Sequence, residues 1–195
     1  MPKTAKHRRL SVVTTNPGKV REFRAGLAQL PLELHHLNRS YHELQADTLE
    51  EVASFGLQEL ADEMDGDFCL EDSGLFVETF RGFPGVYSAY ALKTIGLNGL
   101  LRLVEGSHDL RAHFASVIAL SWGGETHLFR GEVHGQLARN PRGSGGFGYD
   151  PLFIPEGETR TFGEMALEEK IKRSHRGQAL AKLASFLERE FKRGR

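Results

Sequence analysis

Apolar positions along the chain follow two rhythms, and where one gives way to the other the elements of a fold can be drawn. Leu10 to Thr15 is a short β-branched run stopped by Asn16-Pro17-Gly18, the pattern of a buried strand running into a turn. From Lys19 to Leu30 the residues Val20, Phe23, Leu27 and Leu30 recur at helical spacing, and Leu32 to Leu37 reads as the next strand. Thr48 to Met64 repeats the helical rhythm, with Thr48-x-x-Glu51 as a capping-box signature at its start. Phe68 to Phe80 reads as strand interrupted at Asp72-Ser73-Gly74, followed by the turn-rich Arg81 to Gly85. Asn98 to Val104 is a short helix. Arg111 to Trp122 alternates and pairs with Glu125 to Gly135 across Gly123-Gly124 as a hairpin. Ser174 to Lys192 forms the last long helix, carrying Leu180, Leu183, Leu187 and Phe191 on one side.

Strands alternating with helices, then a hairpin, then helices predict an α/β fold whose sheet is mixed rather than all parallel. The 195 residues suffice for one large domain or two closely joined lobes, and no repeat or linker divides them. Met1 to Arg9 reads as a basic tail and Leu10 to Arg195 as one domain. The apolar run after the tail is too short for a signal segment or a membrane span. A net charge of -1 supplies no global field toward nucleic acid or an anionic membrane, so any phosphate must be met by local donors. One cysteine, Cys69, excludes an intrachain disulfide framework and points to a reducing cytoplasm. No H-E-x-x-H is present, and His35 and His36 alternate across a strand instead of sharing a metal.

Four segments carry candidate chemistry. Thr14-Thr15-Asn16-Pro17-Gly18-Lys19 sits where a strand feeds a helix, so free backbone N–H groups, the helix dipole and a lysine meet as an anion site. It is not a Walker A loop, because Val20 stands where the Ser/Thr would be. The plain alternative is a turn with an exposed lysine. Gly143 to Gly148 matches G-x-G-x-x-G, but Asp150-Pro151 and Pro155 follow where a dinucleotide-binding helix should start. What remains is a loop delivering Phe147, Gly148, Tyr149 and Asp150 to one spot, suited to stacking on a base and reading its edge, or an ordinary loop with a buried aromatic.

Glu71-Asp72-Ser73-Gly74 places two carboxylates at a turn, hard oxygen ligands of the kind Mg²⁺ takes. A second contributor would be Glu43, Glu50 or Glu51, with Glu51 favoured as a ligand beside Asp72, although it could serve only the capping box. Lys170, Ser174, His175 and Arg176 form the fourth segment, Ser174 capping the long helix so that His175, Arg176 and the first N–H groups face an anion or carbonyl oxygen. A cap plus a surface basic pair is the bland alternative. Ser73 and Ser144 lack a nucleophile-elbow setting.

Together, TTNPGKVREF, EDSGLFVETFRGFPGVYSAY, GFGYDPLFIP, TFGEMALEEK and SHRGQAL resemble, in order from about Leu10 to about Leu187, the inosine triphosphate pyrophosphatase family. The resemblance implies a mixed, twisted central sheet with flanking helices and two lobes around a cleft. It implies hydrolysis of ITP, dITP and XTP to the monophosphate and pyrophosphate with Mg²⁺, by a cytoplasmic homodimer. It assigns Thr14, Thr15, Asn16 and Lys19 to the phosphates, Lys19 and Asp72 to catalysis, the adjoining Ser73 to substrate binding, and Glu51 and Glu43 with Asp72 to the metal. Phe147 stacks on the base, the FGYDP segment through Asp150 reads it, and Lys170, His175 and Arg176 close on the nucleotide. In the mechanism so implied, Asp72 orients or deprotonates water while Lys19 and Lys170 neutralise phosphate charge, and donors near His175 and Arg176 meet O6 of the purine. The chain departs from the family at Thr15, often glycine, and at Ile171, often asparagine. The alternatives are a Maf-like pyrophosphatase of other nucleotides, a nucleotide sensor without activity, and a nucleic-acid binder acting through the tail.

Overall fold

Two crossovers and a hairpin build the sheet. In a computed structural model that describes residues 8–42 and 44–193, strand β1 (Arg8–Val13) is buried from Leu10 onward. It pairs in parallel with β2 (Leu32–Leu37) on one side and β3 (Phe68–Val77) on the other. Parallel neighbours need long connections, and α1 (Pro17–Gly26) and α2 (Leu49–Ala61) supply them. Beyond β3 the ladder turns antiparallel through β4 (Arg111–Trp122), β5 (Glu125–Leu137) and the short β6 (Phe153–Pro155), giving the order β2-β1-β3-β4-β5-β6. The mixed sheet read from the sequence is the one observed.

Alternation along the strands divides the core. Leu10, Val12, Cys69, Ile118 and Leu120 pack with Phe23 and Leu27 of α1 and with Leu180, Leu183 and Leu187 of α6 (His175–Arg193). On the other face, Val13, Leu70, Ala115, Val117 and Ala119 pack under Leu49, Ala53, Leu57 and Leu60 of α2. A third cluster closes the far end of β3 and β4 against Leu100, Tyr149, Phe153 and Phe162.

Several expectations are corrected. β3 is not interrupted at Asp72-Ser73-Gly74: β4 pairs with it from Phe68 through Val77 without a break. Gly74 is there because the backbone carbonyl of Gly85 lies where a Cβ would be, at 2.2 Å, not because the chain turns. Arg8 and Arg9 belong to β1 rather than to a tail; Arg8 Nε lies 2.6 Å from Asp67 Oδ2 and its guanidinium 3.7 Å from the Trp122 ring centre. Met1 to His7 lie outside the described residues. The helices α3 (Ser88–Thr94), α4 (Gly96–Leu103) and α5 (Leu167–Arg173) include two of seven residues that are too short to show a period. Among the described residues no helix is long and apolar enough to cross a membrane.

The strand lengths open a cleft. β1 stops at Val13 opposite Leu70, while β3 continues to Val77. From Glu71 onward β3 therefore has no β1 residue beside it, and the two halves of the sheet part at the point where parallel pairing changes to antiparallel.

Candidate active site

The cleft so formed is lined from one half by Thr14, Thr15, Asn16 and Lys19, and from the other by Asp72, Ser73, Phe147 and the Gly148-Tyr149-Asp150 run. His175 and Arg176, at the start of α6, complete the wall. Four segments distant in sequence thus meet in one place.

The turn into α1 is more closed than its sequence suggested. Asn16 Oδ1 accepts hydrogen bonds from the N–H groups of Gly18 (2.8 Å) and Lys19 (3.3 Å), and Thr14 Oγ1 accepts from Asn16 N at 3.1 Å. Pro17 has no N–H to offer. The expectation of free backbone donors is corrected on this ground: Asn16 caps the helix with its own side chain. The dipole and the lysine remain. Lys19 Nζ donates to the Glu71 carbonyl oxygen at 2.9 Å and lies 2.9 Å from Glu71 Oε2.

Glu71 and Ser73 share one face of β3, toward α1 and α6, while Asp72 points to the other and lines the cleft. Glu71 is buried, which alone would raise its pKa; Arg176, Lys19 and a hydrogen bond from Ser116 Oγ outweigh burial and hold the carboxyl well below the usual range. It is a permanent anion under the floor of the cleft.

Arg176 is 1% exposed and knits the floor together. Its Nη1 donates to Glu22 Oε2 at 2.6 Å, Nη2 to Ser73 Oγ at 2.8 Å, and Nε lies 3.1 Å from Glu71 Oε1 at ion-pair distance but off the hydrogen-bond direction. Glu22 also accepts from Lys170 Nζ at 2.6 Å, and Lys170 donates to Asp150 Oδ2 at 2.6 Å. Burial works to raise the Glu22 pKa, but Arg176 and Lys170 lower it on balance. For Asp150 burial wins over Lys170, and its pKa is raised.

The Lys170 ammonium is already paired within the chain. It is 2% exposed, held between two carboxylates, with Nζ 4.6 Å from the Phe147 ring centre. Lys19, not Lys170, lines the cleft, and Lys170 holds Asp150, whose Oδ2 also accepts from the Phe147 N–H at 2.7 Å. Phe147 lies against Gly18, where an added Cβ would meet its ring at 2.3 Å, so the aromatic reaches the α1 turn only because that residue has no side chain.

His175 is buried, its ring stacked on Phe114 at 4.5 Å. Burial first, and Arg176 second, push its pKa well below the ordinary value, so it is neutral at pH 7. Its Nδ1 is buried without a hydrogen-bond partner, an uncommon condition that calls for one from outside the chain. Ser174 Oγ accepts from Gly177 N at 3.0 Å as the expected cap of α6. Tyr149 donates to the Ser88 carbonyl oxygen at 3.0 Å, and burial pushes its pKa to about 12, so it anchors the loop without titrating.

The metal carboxylates expected beside Asp72 divide differently. Glu51 is a cap: its Oε2 accepts from the Thr48 N–H at 3.0 Å and from Thr48 Oγ1 at 2.8 Å, and it stands outside the lining of the cleft. Glu50 is bound to Arg130 Nη1 at 3.0 Å. Glu43 lies outside the described residues. Sequence reasoning missed Glu22, which had a signal: it falls three residues after Lys19 and next to Phe23, a charged group on the buried stripe of an amphipathic helix.

The model of the Ham1 family matches residues 10–186. The dITP/XTP pyrophosphatase of Thermococcus kodakarensis is 57% identical over 94% of this chain and 100% of its own length, and that of Pyrococcus horikoshii 48% over 90% and 94%. Among solved structures, a Ham1 protein of Coxiella burnetii superposes with a TM-score of 0.81 at 29% identity, covering 93% of this chain and 99% of the other. The Staphylococcus aureus Ham1 protein superposes with a TM-score of 0.77 at 32% identity, covering 92% and 99%.

Proposed function

The chain belongs to the Ham1 family, and on that premise we propose that it is a nucleoside triphosphate pyrophosphohydrolase, converting ITP, dITP and XTP to the monophosphate and pyrophosphate and so clearing non-standard purines from the nucleotide pool. One observation carries the reading of the base end: His175 Nδ1, buried and unpartnered, in a cleft wall it shares with Arg176 and Phe147.

Phe147 offers a face for the base, and the Arg176 guanidinium, together with His175 in its Nδ1–H tautomer, lines the cleft with donors for a 6-oxo group. A 6-amino group would leave those buried donors unpaired, and hydrogen-bond discrimination of that kind reaches about 10⁴. The triphosphate runs toward Lys19, Thr15 and the positive end of α1. Asp72 orients water and takes its proton as oxygen bonds to phosphorus and the bond to pyrophosphate breaks, while Lys19 neutralises the charge that develops.

The donors fit a hard divalent cation such as Mg²⁺: Asp72 presents a carboxylate to the cleft, and Glu71 is already neutralised by two cations. Magnesium commonly takes one or two carboxylates and completes its shell with phosphate and water. Held at Asp72, it would supply Lewis-acid polarisation of phosphate oxygens. Glu43 is the acidic residue we propose as the second contributor; its near neighbours Ser40 and Tyr41 line the cleft.

We also propose a cytoplasmic homodimer. Exposed Phe83, Tyr87, Tyr90, Ile95 and Leu103 fall within residues 83–103, in and just before α3 and α4, and support an apolar contact between copies; light scattering at the monomer mass of 21.8 kDa would refute it. For the activity, the test is a product assay with ITP and Mg²⁺. Pyrophosphate is expected, with ITP and XTP turned over far faster than ATP, UTP or dTTP. Orthophosphate as product, or a pyrimidine preference, would overturn the assignment.

A further inference from the structure

The face of the sheet that carries α2 holds a second constellation. α2 covers β4 at Ala115, Val117 and Ala119. His113 continues the same alternation beyond that cover. It stands directly opposite His134 in the β4–β5 register, and Glu132 shares the face two residues earlier. One potential ligand atom from each of the three lies within 4.8 Å of the others, the one such group of histidine, cysteine and acidic residues among the described residues. None of the three lines the catalytic cleft.

The side chains are supported as ligands usually are. The His113 ring lies parallel to Phe76, centres 4.8 Å apart and planes at 2°, so packing sets its direction. Its Nδ1 is 3.3 Å from Glu78 Oε1, which leaves the other ring nitrogen for a ligand contact. A carboxylate on the far nitrogen of a ligating histidine is the common outer-shell arrangement of metal sites. Glu132 Oε1 is 3.0 Å from His134 Nε2, while its Oε2 is held by Arg130 Nη2 at 2.7 Å. Arg130 is in turn bound to Glu50 at the start of α2.

We propose that His113, Glu132 and His134 form a binding site for a divalent transition metal of the Zn²⁺ class, separate from the hard-cation position at Asp72. Two imidazoles and one carboxylate suit Zn²⁺ and its neighbours rather than Mg²⁺ or Ca²⁺. Bonds of about 2.1 Å in a tetrahedron place ligand atoms about 3.4 Å apart. His134 Nε2 already lies 3.0 Å from Glu132 Oε1, and the His134 side chain, 65% exposed, has room to adjust toward that spacing. His134 also lines a groove with Glu78, Arg111, Glu156 and Glu158. The two imidazoles face each other across the strands with ring centres 5.3 Å apart. Phe114, the next residue after His113, stacks on His175, so the metal would brace β4 directly behind the base end of the cleft.

The test uses the full chain stripped with a chelator and then held in excess Mg²⁺, so that the cleft carboxylates are occupied. Zn²⁺ is titrated by calorimetry and Co²⁺ by visible absorption, with His134→Asn and Glu132→Gln in parallel. The wild type should take up one Zn²⁺ per chain, show the intense visible bands of tetrahedral Co²⁺, and gain thermal stability on Zn²⁺ addition. Each variant should bind at least about tenfold more weakly, the floor of what even outer-shell changes cost, while ITP turnover in Mg²⁺ alone is retained. Absence of Zn²⁺ uptake by the wild type, or a loss below tenfold in His134→Asn, would overturn the proposal.

Discussion

Replacing Glu22 by glutamine isolates the buried network under the cleft, because it preserves shape and removes one charge. Glu22 is 2% exposed and each of its oxygens is 2.6 Å from a cation, Lys170 on one side and Arg176 on the other. The network holds three carboxylates, Glu22, Glu71 and Asp150, against three cations, Lys19, Lys170 and Arg176. Glu22→Gln leaves a buried excess of positive charge, and breaking such a pair costs about 3–5 kcal/mol. The amide oxygen still accepts from one cation, which favours the lower end, about 3 kcal/mol. At roughly 2–4 °C per kcal/mol for a chain of this size, the melting temperature should fall by about 6–12 °C. Urea unfolding and calorimetry measure both quantities. A second variant guards against an unrelated packing defect: Lys170→Met removes one of the two cations Glu22 neutralises. If charge imbalance is the cause, the double variant should be more stable than the sum of the single losses allows, by at least about 1 kcal/mol. Additivity within about 0.5 kcal/mol, or a loss under about 1 kcal/mol in Glu22→Gln alone, would refute the reasoning.

Three further outcomes are expected. Asp72→Asn should abolish ITP turnover while the circular dichroism and nucleotide binding persist; turnover near wild type would remove Asp72 from the chemistry. Gly18→Ala should lower kcat/KM by about tenfold or more, since a Cβ 2.3 Å from the Phe147 ring forces that ring from its place, and an unchanged value would show that Phe147 does not need it. Acid should destabilise the fold in two stages. The lowered pKa of His175 means the unfolded chain binds a proton first below about pH 6.5, and the lowered pKa values of Glu22 and Glu71 remove their stabilisation as pH falls below about 4.5. Asp150, with a raised pKa, opposes this in part. The urea midpoint should thus decline from pH 6.5 to 4, and a flat profile over that range would contradict it.

Much of the molecule could be read along the chain because it is locally encoded. β2 at Leu32–Leu37 and β4 at Arg111–Trp122 fall where alternation and flanking turns put them, and Thr48 closes its capping box with Glu51. The cleft-lining residues of the loops, from Thr14 to Lys19 and from Phe147 to Asp150, were legible because glycine, proline and charge mark such turns within a few positions. What lay out of reach depended on which distant groups meet. Asp72-Ser73-Gly74 looks like a turn to any local rule, yet ten consecutive pairs with β4 keep it extended. Lys170 looks like a phosphate ligand until Glu22, 148 residues away, and Asp150 enclose it. Glu51 looks like a metal ligand until its oxygens are seen on Thr48. A side chain's charge is written in the sequence, but its work is set by burial and by the partner that neutralises it, and both are properties of the packed fold.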